Sequence, residues 1–191
     1  MPGLIPWGIW AAAGAGGSTA GSYELISTSL VTGSSVASVT FSSNAAWANY
    51  KHLQIRCAAV ETAGGGIDSM IMRFNGDNAA NYAWHGLSGI NSTASSTSGA
   101  TSSTPYIAFI NGDGAANLRF SPIVIDILDF ASTSKTKTSR SLSGSLGAVD
   151  KGVTLKSTLW NSTAAITSIV LSGASGNLDV GSRFSLYGLR G

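Results

Sequence analysis

Charge is scarce in this chain. Eleven Lys or Arg and nine Asp or Glu make up 10% of its 191 residues, against roughly a quarter in ordinary soluble domains. The net charge of +2 argues against a nucleic-acid partner, which needs a dense basic surface to displace counterions. The one basic cluster, Lys135, Lys137 and Arg140 in KTKTSR, reads as a solvated strand with Lys135 and Lys137 on one face. Cysteine is nearly missing too. Cys57 is the only one, so no intrachain disulfide forms, and its apolar run HLQIRCAAV marks it as a buried structural thiol.

With so few acids, the chemistry of paired carboxylates has little to draw on. Asp126 and Asp129 in DILDF are three apart, on opposite faces of a strand, and do not form the acid/base unit of a glycosidase. The turns FNGDN (74–78) and INGDG (110–114) carry one carboxylate each and read as turn chemistry rather than calcium loops. There is no Gly-rich phosphate loop, nucleophile elbow or metal-ligand spacing. The expectation is a non-enzymatic chain with no catalytic residues, no metal and no cofactor.

Long apolar runs are also missing. The opening MPGLIPWGIWAAAGAGG is uncharged but broken by Pro2, Gly3, Pro6 and Gly8. It lacks the basic start of an export signal and the roughly 20 unbroken apolar residues of a membrane span. What remains is a peptide that docks on protein, with no membrane insertion. Residues 1–17 are therefore read as an apolar anchor arm that binds a partner through Leu4, Ile5, Trp7, Ile9 and Trp10. Residues 18–22 are a flexible hinge, and residues 23–191 a separate domain.

The domain is rich in what strands use. Hydrophobic residues reach 43% of the chain, enough for a sizeable core, and the polar remainder is mostly Ser, Thr, Asn and Gly. Leu53, Ile55, Cys57 and Ala59 share one face, as do Met70, Met72 and Phe74, with Ile71 and Arg73 opposite, and then Ile123, Ile125 and Ile127, with Val124, Asp126 and Leu128 opposite, the period of a strand. No segment keeps a helical period, and Asn44 or Ser43 caps at most one helical turn. Roughly ten strands between Gly, Ser and Asn turns predict an all-β, antiparallel β-sandwich, a jelly roll, with an extended N-terminal arm. The stretch 88–105, almost pure Ser, Thr, Gly and Ala, reads as a surface loop. The best recognition patch is Tyr82, Trp84 and His85 in NYAWHGL, where aromatic faces stack on sugars and His bonds hydroxyls. The competing reading puts Tyr82 and Trp84, two apart on one strand face, in the core. Trp160 in STLWNST stands in the same position.

These pieces resemble a known set. MPGLIPWGIWAAAGAGG, SYELISTSL, YKHLQIR, FNGDNAANYAWH, IDILDFASTSKTKT and the closing GSRFSLYGLRG are similar to small virion structural and tail-fibre-like proteins of tailed bacteriophages. The resemblance covers essentially the whole chain. It implies a repeated particle component in the virion, homo-oligomeric and as a candidate trimeric, among other virion proteins (capsid or tail subunits). It transfers no catalytic residue. The expected role is capsid decoration or cement, or a short fibre. The alternative is a tail fibre whose domain binds host surface glycan.

Overall fold

A computed structural model describes residues 23–190, apart from 113, 115, 116 and 118. The arm and hinge, with Leu4, Ile5, Trp7, Ile9 and Trp10, lie outside the described residues. The rest is an all-β sandwich of two antiparallel sheets.

The strands are β1 (Tyr23–Leu30), β2 (Val39–Ser42), β3 (His52–Ala59), β4 (Ile67–Phe74), β5 (Tyr82–Ile90), β6 (Thr93–Ser102), β7 (Tyr106–Asn111), β8 (Ser121–Leu128), β9 (Lys137–Leu146), β10 (Lys151–Trp160), β11 (Ser168–Gly173) and β12 (Arg183–Leu189). The larger sheet has eight strands in the order β1-β12-β3-β8-β9-β10-β5-β6, and the smaller has four, β2-β11-β4-β7. One 3-10 turn, Ala45–Asn49, is capped by Asn44, whose side chain accepts the Ala46 N–H.

The pairing separates a frame from an extension. Eight strands nest like one long rolled hairpin: β1 pairs with β12, β2 with β11, β3 with β8 and β4 with β7. These pairs alternate between the two sheets. The other four strands arrive as two excursions, β9–β10, which adds to the free edge of β8, and β5–β6, which adds to β10 beyond it, so the larger sheet extends well beyond the smaller.

The core fills the frame. Leu53 and Ile55 of β3, Ile123, Ile125 and Ile127 of β8, and Phe184 and Leu186 of β12 face Met70, Met72 and Phe74 of β4 and Ile169 and Leu171 of β11, all buried. Each large side chain so buried contributes about 1.5–3 kcal/mol before ordering costs. Cys57 is buried with them, and burial pushes its thiol pKa up. Pro122 sits second in β8, opposite Ala58 of β3 and one residue before the pairing with β9 begins, near the strand start where proline is tolerated.

Two expectations are corrected. Residues 88–105 are not a loop: β5 runs on to Ile90, the chain turns at Asn91 (φ 52°) and Ser92, and β6 returns over Thr93–Ser102. Asn tolerates the left-handed turn, and Ser and Thr have no need of a core because β6 is an edge strand exposed along its length. Lys135 and Lys137 do not share a solvated face. Lys135 precedes β9, while Lys137 opens it fully buried, its ammonium donating to the carbonyls of Lys135 (2.7 Å) and Thr163 (3.2 Å).

Candidate interaction surfaces

The aromatic patch comes apart in the structure. Trp160 and Tyr82 pair across β10 and β5 and both are buried, with their rings stacked at 6.5 Å. The Tyr82 hydroxyl accepts the Phe74 N–H at 3.0 Å, and burial raises its pKa to about 12. The Trp160 indole N–H donates to Asp77 at 2.7 Å, and Asp77 also accepts from Ala79 N–H and from the Asn81 amide. These bonds, Trp160's first, hold the Asp77 carboxyl below its usual range. The first Asn-Gly-Asp turn therefore spends its carboxylate on the fold. Asp113 of the second lies outside the described residues. Among the described residues no group of three His, Cys, Asp or Glu side chains is placed to hold a metal ion.

Trp84 also turns inward, half-buried, edge-on to Tyr106 of β7 at 5.4 Å. Over it lies Lys156 of β10, which is buried, its ammonium 5.3–5.6 Å from the Trp84, Tyr106 and Phe109 ring centroids. Burial lowers its pKa to about 8, and the three ring faces supply what attraction it finds. His85 faces the other way, exposed on the outer side of the sheet. Tyr82, Trp84 and His85 thus do not form one surface. Trp84 and His85 still border a hollow of about 330 Å³ at the β10–β5–β6 end, together with Ser98, Gly99, Ser157 and Leu159.

A more polar hollow, about 450 Å³, lies by the corner after β8, lined by Tyr50, Lys51, Asp129, Ser132 and Arg190. Asp129 holds a left-handed backbone (φ 46°), its N–H donating to His52 Nδ1 at 3.0 Å. The Lys135 ammonium, 2.9 Å away, keeps its carboxyl below the usual range. Arg190 pairs with Glu24, which also accepts the Tyr50 hydroxyl at 2.7 Å. These charged groups answer one another.

The extension carries the feature that sequence reading missed. Along β9, the buried positions are Lys137, Ser139, Ser141, Ser143 and Ser145, and the outward ones include Leu142 and Leu146. This reverses the usual arrangement of a strand. The cause is β7, the edge of the smaller sheet, which lies against the inner face of β9. The Phe109 N–H donates to Ser143 Oγ at 2.8 Å, and Ser141 Oγ donates to the Ile107 carbonyl. Serine is small enough for the two strands to approach and offers the hydroxyls that an unpaired strand edge needs. The leucines are consequently turned out.

On the outer face they line up. Register sets Val124 opposite Leu142, Leu142 opposite Leu155, and Leu155 opposite Leu87, one apolar row across β8, β9, β10 and β5. Leu142, Leu155 and Leu87 are 55%, 52% and 56% exposed. Val153, as exposed, extends the row along β10, and Leu146 extends it along β9. A polar chain bounds one side: Arg56 donates to Gln54, Gln54 to Asp126, and Arg140 to Asp126, at 2.7, 2.7 and 3.0 Å. Period-two counting of LSGSL and VTLKSTL would have found the two faces. It would not have shown which one is inside.

Compared with family models, curated proteins and solved structures, the chain finds no match. Among the described residues no helix is long and apolar enough to cross a membrane.

Proposed function

We propose that the chain is a non-enzymatic structural subunit of a tailed-bacteriophage virion. In this reading it is a β-sandwich on the particle surface, as capsid decoration or cement or as a short fibre, held by the apolar arm 1–17. The observation that carries the reading is the sandwich core formed among the described residues, Val31 to Leu186. The reading assigns Leu4, Ile5, Trp7, Ile9 and Trp10 to a neighbouring virion protein. The nested pairing of the eight frame strands is read as a jelly roll, an architecture that viral capsid and lectin domains share. Low charge suits close packing among copies.

Removing residues 1–17 tests this. The expected result is a folded, soluble body that no longer enters particles. Incorporation at wild-type occupancy would remove the arm from the account. Copy number separates the two locations, with hundreds per particle for a capsid subunit and few for a tail subunit.

A second reading gives the body a host glycan to bind, as in a tail fibre. The hollow bordered by Trp84, His85, Ser98 and Ser157 favours it, since it joins a ring and an imidazole to hydroxyls. Binding of the purified protein to host cells or polysaccharide, lost in His85→Ala, is its expected signature. Equal binding by that variant, or none by wild type, would count against it.

A further inference from the structure

From the outer face of the larger sheet we infer that this chain self-associates, two copies meeting sheet to sheet across the row Val124, Leu142, Leu155 and Leu87. This inference does not depend on the virion reading.

The apolar field is large for a surface left in water. With Val153 and Leu146 included, the exposed area is on the order of 500–600 Å², the upper end of what monomeric proteins leave bare. With its polar border it approaches the roughly 800 Å² per partner of a stable interface. Nor is it an accident of register. β9 is bonded along both sides, to β8 and β10, and a shift of one residue would bury its leucines and expose its serines. The bonds from Ser141 and Ser143 to β7 hold the arrangement as it stands.

The occupant follows from charge and shape. No charged side chain stands in the row itself. The charges beside it are Asp126 and Arg140, which pair at 3.0 Å, Arg56, which lies between the Tyr23 and Tyr187 rings, and the exposed Lys151, opposite Leu146 at the margin of the field. With its charges few and at the margins, the face suits an apolar partner better than a strongly charged one. Two hollows flank Leu142. One, about 370 Å³, is lined by Pro122, Val124, Gly144 and Val153; the other, about 330 Å³, by Val124, Asp126, Arg140 and Leu155. The face therefore carries both a leucine ridge and the depressions that receive one. A surface that complements itself pairs with its own copy about a twofold axis. A ring of three would need two different patches meeting each other, whereas the ridge and the hollows that receive it lie together on this one face.

Sedimentation velocity of the full-length chain across the micromolar range tests this. The expected species has twice the 19.4 kDa chain mass. Leu142→Asp with Leu155→Asp weakens association by roughly 30-fold or more, the scale of a central interface residue, with far-UV circular dichroism unchanged. Leu87→Glu, at the end of the row and away from the serine contacts, gives a second variant in case the first does not fold. Trp7→Ser with Trp10→Ser, in the full chain, leaves association unchanged. A wild type that stays monomeric overturns the inference. So does association that survives the outer-face substitutions, or that is abolished by the arm substitutions instead.

Discussion

At the scale of single residues, the buried polar groups decide most. Ser143 accepts the Phe109 N–H, whereas the hydroxyl of Ser139, on the same strand face, is buried with no partner. Ser143→Ala strands a buried donor and is expected to cost about 1–3 kcal/mol. Ser139→Ala removes an unmet hydroxyl and is expected to be neutral or stabilising. Urea unfolding of the two variants separates them, and equal losses would mean that the zipper to β7 is not what holds the sheets. Glu61 is the other case. Fully buried, it interacts with Asp68 and the Gly176 backbone, yet neither of its oxygens makes a well-formed hydrogen bond. Burial first, and then Asp68, raise its pKa from 4.5 to about 9. For Asp68, burial is outweighed by its interactions with Glu61, Ser175 and the Ser69 N–H, and its carboxyl stays low. The folded state thus keeps a proton on Glu61 that the unfolded chain releases. Its stabilising effect is complete below pH 4.5 and is lost as pH climbs towards 9. Urea midpoints across that window are expected to fall less with pH in Glu61→Gln than in wild type. Lys156 has the opposite sign: with its folded pKa near 8, it disfavours folding below that pH and is relieved as pH rises towards 10.5. Lys156→Met keeps the packing stem without the charge and is expected to raise the thermal midpoint at neutral pH.

At the scale of elements, the frame was readable and the extension was not. In β3, β4 and β8 large apolar side chains recur at every second position, and Arg56, Arg73 and Asp126 between them mark the other face. In β6 the Ser/Thr composition hid a strand, because an edge exposed on both faces has no apolar side to show. In β9 and β10 the alternation was plain, but hydrophobicity pointed the wrong way: a facing strand edge selects serine for size and hydrogen bonding, a preference only the packed sheets reveal. The candidate patch failed for a related reason. Tyr82 and Trp84 share a face, as two-residue spacing requires, and His85 must then lie on the other. Close approach also fixes β12 against the 3-10 turn. A methyl group at Gly188 would fall within the Tyr50 ring, so Gly188→Ala is expected to cost about 1–3 kcal/mol as overpacking. An unchanged urea midpoint would show that Tyr50 swings away freely.

At the scale of the molecule, the sandwich divides its tasks. The nested frame holds the core, and the four added strands build a wide sheet with a serine-lined inner face and a leucine-bearing outer one. The arm, outside the described residues, is proposed to grip the particle, and the leucine face to bring copies together. A low-charge body with two adhesive regions suits a repeated component better than a solitary one. Mass spectrometry of purified particles of the phage proposed to encode this chain tests that claim most directly. The account predicts the chain at a fixed ratio to the main structural subunit, retained through purification in high salt because apolar contacts are not screened. Particles that are complete and infectious without the chain, or that shed it on purification, would contradict it.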